Sequence, residues 1–431
     1  MTLNTRSGNE LLLKPAEESV PYDNWLLWLK NFAVDCVKKN HLPINVGNSY
    51  TAVDFWRVLI IHTLMNVSLD EASDRLNQLL YDIENSHLRH KISPREYKGK
   101  LKRHQRKCPN GDQTRKYRNS LPDWLVKNLN RFIFEHQIDF ALQEKLITKK
   151  VDVIGDNTDQ WYYGSDRYPA NPFITKGYNG PGTSRKRNYL GLMIKSGNVY
   201  LYCGVDIIKK GHSNVPFILE IIDWLIGKGF EIRYFIGDRG FPTVELLKEL
   251  PSRNIHYIGP YKKYAPVKRK IENYIKKGGK YIIPHTINGI KVWLILTNRQ
   301  GRRLRDIRMD YLKKIKTLDE CVTEIMPMLT TVQPPAGKKK CQGWAIQICR
   351  VYDHRWQIET GFRDLNRISP PSNARTNARK LFMCSVRYWM YNVWQLERAK
   401  RRRLRGCPKS WKKGPTLRRF TYCAIKIGVC V

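Results

Sequence analysis

Tyr352, Arg355 and Glu359 stand at i, i+3 and i+7. On a helix that spacing sets all three on one face. Ile358, Phe362 and Leu365 give the same helix an apolar stripe for docking on a core. A carboxylate beside a tyrosine and an arginine, in a basic chain, points to a site that handles phosphate. Glu359 would hold a metal ion, Arg355 would pair with a phosphate, and Tyr352 would stack or hydrogen-bond. The plainer alternative is a surface helix with an i,i+4 ion pair between Arg355 and Glu359. The choice turns on whether the chain supplies partner acids.

Phosphodiester cleavage at neutral pH needs a nucleophile made from water or a hydroxyl, and neutralisation of charge at the phosphate. Two divalent metals about 3.5–4 Å apart supply both. Acidic oxygens at strand and helix ends hold such hard cations. Asp156 and Asp238 meet that description. Val151-Asp152-Val153-Ile154-Gly155-Asp156 is a β-branched run ending in an aspartate. Ile232 to Gly237 is a second apolar strand, and Asp238 follows it. Competing acids lie close by. Asp152 reads as facing the alternate side of the first strand, Asp159 follows Asp156 by three residues, and Asp206 ends a later strand. Asp238 in Asp-Arg-Gly could also simply cap a turn.

The elements around these acids alternate in period. A hairpin reads from Tyr189 to Val205, turning at Ser196-Gly197-Asn198, after a glycine-rich basic excursion from Lys176 to Arg187. A helix over Val215–Gly227, a strand to Asp238, a helix over Thr243–Leu250 and a strand over Ile255–Ile258 follow. Three meandering strands and then two joined by helical crossovers make a mixed α/β sheet, whose ligands gather at strand ends. Between about Tyr261 and Lys340 two strands flank an Asn288-Gly289 turn, and Leu318 to Leu329 reads as a helix. A helix over about 379–400 carries Phe382, Trp389 and Trp394 as core residues.

Upstream the pattern is helical. Trp25 to Cys36, Tyr50 to Met65 and a helix opened by the capping box Ser68-Leu69-Asp70-Glu71 precede a short basic segment, Glu84 to Ile92. This sequence suggests a helix-turn-helix-like DNA reader, with a generic helical bundle as the alternative. Tyr97 to Arg118 reads as a basic connector. A long helix follows, from Leu121-Pro122-Asp123 to about Lys145.

Lys+Arg 77 against Asp+Glu 38 gives a net charge of +39. Such a charge repels itself unless a polyanion neutralises it, so nucleic acid is the expected partner. No apolar run approaches the roughly 20 residues that span a bilayer, and the N-terminus lacks a signal-peptide pattern. Ten scattered cysteines without a Cys-x-x-Cys pair read as reduced thiols, and a zinc site at His87, His90 and Cys108 lacks a second nearby cysteine. A cytoplasmic, nucleoid-associated protein is expected. The basic tail from Arg401 onward, free of acids, suits phosphate-backbone contact.

Three motifs together resemble a known family. Asp156-Asn157-Thr158 after its strand looks like the first motif of DDE transposases from prokaryotic insertion sequences, where Asp-Gly-Thr is usual. Ile236-Gly237-Asp238-Arg239-Gly240-Phe241 is similar to their second motif. Tyr352, Arg355 and Glu359 match Tyr-x2-Arg-x3-Glu, the signature of the fourth insertion-sequence family and its archaeal relatives. That signature ends in a lysine where this chain has Asn366, and Arg363 takes the phosphate contact by its place on the helix. The resemblance implies a DDE transposase with an RNase H-like mixed sheet, flanking helices, a β-rich insertion and an N-terminal all-helical domain. The segments expected are 1–145 (helical DNA-binding region and connector), 146–260 and 346–400 (catalytic core), 261–345 (insertion) and 401–431 (basic tail). It implies Asp156, Asp238 and Glu359 as catalytic and metal ligands for two Mg²⁺ or Mn²⁺ ions. DNA contacts are expected from Tyr352, Arg355, Arg363, Arg239, Arg185, Lys186 and Arg187. Double-stranded transposon-end and target DNA, and a second copy in a synaptic dimer, are the implied partners.

Overall fold

The computed structural model describes residues 50–403 except 51, 66, 86–92, 94, 97–99, 101–107, 121–122, 163–171, 181, 299–301 and 368–376. The helix expected at Trp25–Cys36, His87 and His90 and the tail beyond 403 lie outside the described residues. The remainder groups into two compact units: residues up to Ile133 together with those from Asp364 on, and Phe134–Arg363.

The first unit is helical: α1 (Ala52–Met65), α2 (Leu69–Glu84), α3 (Gly111–Ser120), the start of α4 (Asp123–Gln143) and α12 (Asn377–Arg403). Ser68 caps α2 by accepting from the Glu71 N–H. From the last turn of α1, the His62 Nδ1 reaches to 2.6 Å from the carbonyl of Val67 in the short connection before α2. Burial lowers His62 to about 4, so the neutral ring must donate that bond. The expected basic connector is in part the packed helix α3, whose Tyr117 stacks on Phe55 at 4.6 Å. Trp56, Phe382 and Trp389 meet at centroid distances of 5.5 and 6.0 Å, as core residues. The helix expected to complete the catalytic core, α12, therefore groups with the N-terminal helices instead.

The second unit is built on a nine-stranded mixed sheet. Its strands are β1 (Lys150–Trp161), β2 (Thr175–Gly180), β3 (Thr183–Ser196), β4 (Val199–Ile207), β5 (Glu231–Ile236), β6 (His256–Pro260), β7 (Ile282–Ile287), β8 (Ile290–Asn298) and β9 (Ile325–Thr330). β1, β3 and β4 form an antiparallel meander, with β3 between the other two. β5 pairs parallel to β1, and β6 parallel to β5. The resulting order β4-β3-β1-β5-β6 is the RNase H-like arrangement. Val151, Val153 and Ile154 are fully buried, as a central strand requires. The crossovers are α5 (Val215–Gly227) and α6 (Val244–Ser252), the latter capped by Thr243.

Three expectations are revised. The basic excursion, to which no strand was assigned, holds β2 and the start of β3, which pair antiparallel there. The helix expected over Leu318–Leu329 stops at Glu324 as α9 (Leu318–Glu324), because Pro327 has no N–H for a helical bond and clashes with the preceding turn. The chain continues as β9, with Met328 and Leu329 buried. The insertion also holds α7 (Ala265–Lys277) and α8 (Leu304–Leu312), so it is half helical. Nor is it a separate layer. β9 pairs with β6 on one side and β8 on the other, extending the same sheet to β7.

Candidate active site

β1 and β5 run side by side, and their last registered pair is Ile154–Ile236. Asp156 and Asp238 each lie two residues beyond it. β1 itself continues to Trp161 along β3, so Asp156 is inside a strand on one side and at an open end on the other. Gly155 and Gly237 precede the two aspartates. A Cβ at either would come within 2.9 Å of Phe235 or Phe241, so their smallness lets Phe241 tuck beneath both acids. The Asp238 turn closes through backbone, its carbonyl accepting from the Phe241 N–H at 3.0 Å. The same carbonyl accepts from the buried Tyr257 hydroxyl at 3.3 Å.

Glu359 is brought in by α10 (Lys338–Asp353) and α11 (Trp356–Arg367). The single helix expected through Tyr352 and Glu359 is broken by a turn at His354-Arg355. The three side chains stay together nonetheless. The Arg355 Nε donates to the Tyr352 hydroxyl at 2.8 Å. Its Nη1 donates to Asp156 Oδ2 at 2.8 Å, and its Nη2 lies 2.6 Å from Glu359 Oε1. One guanidinium thus bridges two acids and is fixed by a phenol. α11 approaches the sheet closely because two glycines leave room. A Cβ on Gly191 would meet Phe362 at 3.0 Å, and one on Gly361 would meet the Tyr202 hydroxyl at 2.6 Å.

Burial pushes the Asp156 carboxyl up to about 6; Arg355 and the Asn157 N–H pull it down, while Asp238 and Glu359 raise it. Burial alone would lower Arg355, but the Tyr352, Asp156, Glu359 and Asp238 side chains outweigh it and raise it. Asp156 therefore feels both of the other acids. By donor type and charge they fit a divalent cation. Among the described residues no three acid, histidine or cysteine side chains close into a single coordination sphere, because Arg355 stands between two of them.

The competing acids resolve. Asp152 shares the Asp156 face rather than the alternate one, being four residues away on an unbroken register. It is 1% exposed, bonded by Arg233 at 3.2 Å and flanked by Lys195 at 3.8 Å. Asp159 pairs with Lys186 at 2.6 Å, on the opposite face. Arg239 and Arg363 are exposed, as is Asn366. Arg185 is half-buried and Arg187 buried, both on the Asp156 face. Tyr257 escaped the sequence reading, since a tyrosine in an apolar strand carries no signal of its own.

Residues 175–392 match the family model described as a transposase DDE domain. The chain belongs to the DDE transposase family. Within this transposase domain fall Asp238 and Glu359, while Asp156 precedes the matched span. None of the curated proteins matches the chain. A solved structure, the piggyBac transposase synaptic complex with hairpin DNA, is similar with a TM-score of 0.47 at 11% identity, covering 94% of this chain and 79% of that one. Among the described residues no helix is long and apolar enough to cross a membrane.

Proposed function

We propose that this transposase binds transposon-end inverted repeats and carries out metal-dependent strand cleavage and strand transfer with Asp156, Asp238 and Glu359. The observation that supports it is the Arg355 bridge. It joins Asp156 and Glu359 beside Asp238 where the parallel β1–β5 ladder opens at its carboxyl end, the place where open α/β sheets hold their ligands. Asp156 with Glu359, and Asp156 with Asp238, would hold two Mg²⁺ or Mn²⁺ ions. When bound, such ions lower the pKa of attacking water and neutralise charge on the phosphate. Arg355, steadied by Tyr352, offers its planar fork to a phosphate once the acids have another cation. In cleavage, water oxygen bonds to phosphorus, the P–O3′ bond breaks and the 3′ oxygen takes up a proton. That 3′-hydroxyl then gives up its proton and its oxygen bonds to a target phosphorus, while the target's own P–O3′ bond breaks and the displaced 3′ oxygen takes up a proton. Arg239 and Arg363, exposed around the site, would touch the DNA backbone, and the N-terminal helical region would read end sequence. A dimer assembled on two ends, acting in the cytoplasm at the nucleoid, completes the reading.

The test is incubation of the protein with duplex carrying the DNA that flanks its gene, with Mg²⁺. Nicked and joined products are expected, and both vanish in Asp238→Ala and Glu359→Ala. Cleavage surviving either substitution would refute the assignment. Binding without cleavage would make it a DNA-binding protein only, and cleavage without joined products a nuclease.

A further inference from the structure

Arg187 is 3% exposed, and no carboxylate pairs with it among the described residues. Its Nε is buried without a hydrogen-bond partner. The Tyr162 ring lies under it, 4.6 Å from guanidinium carbon to ring centroid. A buried cation without a counter-charge is costly unless a ligand supplies one.

Its position narrows the ligand. Arg187 opposes Gln160 across the β1–β3 ladder, as Gly191 opposes Asp156. Opposed residues share a face, and the register is unbroken between the two pairs, so Arg187, Gln160 and Asp156 lie on one side of the sheet. Four residues of strand separate the pairs, about 13 Å. Gln160 Oε1 is occupied by the Tyr189 hydroxyl at 3.0 Å. That bond orients the amide so that its NH₂ group points elsewhere as a donor. The corner therefore presents guanidinium and amide N–H groups together, a donor set made for an anion. Lys186, next in sequence, is on the opposite face and satisfied by Asp159. Gln160 and Tyr162 are half-buried, so this corner borders solvent.

We propose that Arg187 and Gln160 form a phosphate site for the DNA backbone, a few nucleotides along the strand from the phosphate positioned at Asp156. The site rests on the proposed DNA substrate but not on catalysis. It gives the strand a second fixed point on the rigid sheet, which sets the direction in which DNA leaves the carboxylates.

The experiment is salt-dependent binding to a 30-bp mixed-sequence duplex in EDTA, so that cleavage plays no part. Each phosphate contact contributes about 0.9 to the slope of log K against log salt. Arg187→Gln should flatten that slope by about one and weaken binding several-fold at low salt. Gln160→Leu should leave the slope unchanged and weaken binding about threefold. Equal slopes for Arg187→Gln and the wild type, with wild-type affinity for Gln160→Leu, would overturn the site. If Arg187→Gln fails to fold, Gln160→Leu decides alone: wild-type affinity overturns the site, and a loss at constant slope supports it. A chain that shows the Arg187 effect yet never cleaves DNA keeps the phosphate site and loses the catalytic reading. One that cleaves normally with an unaltered Arg187 slope does the reverse.

Discussion

At Asp156 the protein has placed a carboxylate where it prefers its proton. Its pKa of about 6 against an ordinary 3.8 has a defined consequence for stability. Between those values the folded state holds more protons than the unfolded one, so stability falls as pH rises from about 4 to 6. It is fully penalised above that window and unaffected below it. Denaturant midpoints of the metal-free protein should show this decline, and Asp156→Asn should lack that portion of it. Metal binding runs in the opposite sense, because it requires the deprotonated acid, so Mn²⁺ affinity should climb through pH 6. Tyr257→Phe removes the hydroxyl that holds the Asp238 carbonyl. It should cost about 0.5–1.5 kcal/mol of stability and lower the cleavage rate while DNA binding persists. A binding loss equal to the rate loss would refute that role. Much of this residue pattern was legible beforehand. Arg355 and Glu359 are four apart, and helical geometry brings such residues together without knowledge of the fold. The bond from Arg355 to Asp156 spans 199 positions, and only the sheet creates it. Asp152 was misassigned to the other face, though counting by twos from Asp156 would have placed it correctly.

Elements were readable where their period was clean and their ends were marked. α5 matches its expected bounds because Ile218, Ile221, Ile222 and Leu225 recur at helical spacing behind Pro216. β9 was missed because Cys321, Val322 and Ile325 continue a helical pattern into Met328 and Leu329. The single contrary signal is Pro327. No expectation covered α7, although Val267, Ile271 and Ile275 are spaced by four and buried. The contact of α11 with the sheet invites a test. Gly361→Ala places a methyl 2.6 Å from the Tyr202 hydroxyl. Overpacking of about 1–3 kcal/mol should exceed the roughly 1 kcal/mol that alanine gains over glycine in a helix. The melting temperature should fall, and adding Tyr202→Phe should restore part of it. A Gly361→Ala protein as stable as the wild type would show that α11 has slack.

For the molecule as a whole, charge dominates. A chain of net charge +39 should bind duplex DNA with an affinity that drops by on the order of 10³ or more between about 50 and 200 mM salt. A shallow salt dependence in filter or anisotropy assays would remove the argument from composition. The chain path also matters at this scale. The strand that flanks β6 away from the site is β9, and β8 reaches the sheet only through it. About 70 residues separate the end of β6 from the end of β9. During synthesis at roughly 5–20 residues per second, the β6 edge emerges several seconds before its partner exists. For that interval the nascent chain carries an open row of backbone donors and acceptors in what will become the middle of its sheet. Protein production, rather than the finished protein, is where this sheet is most exposed to mispairing.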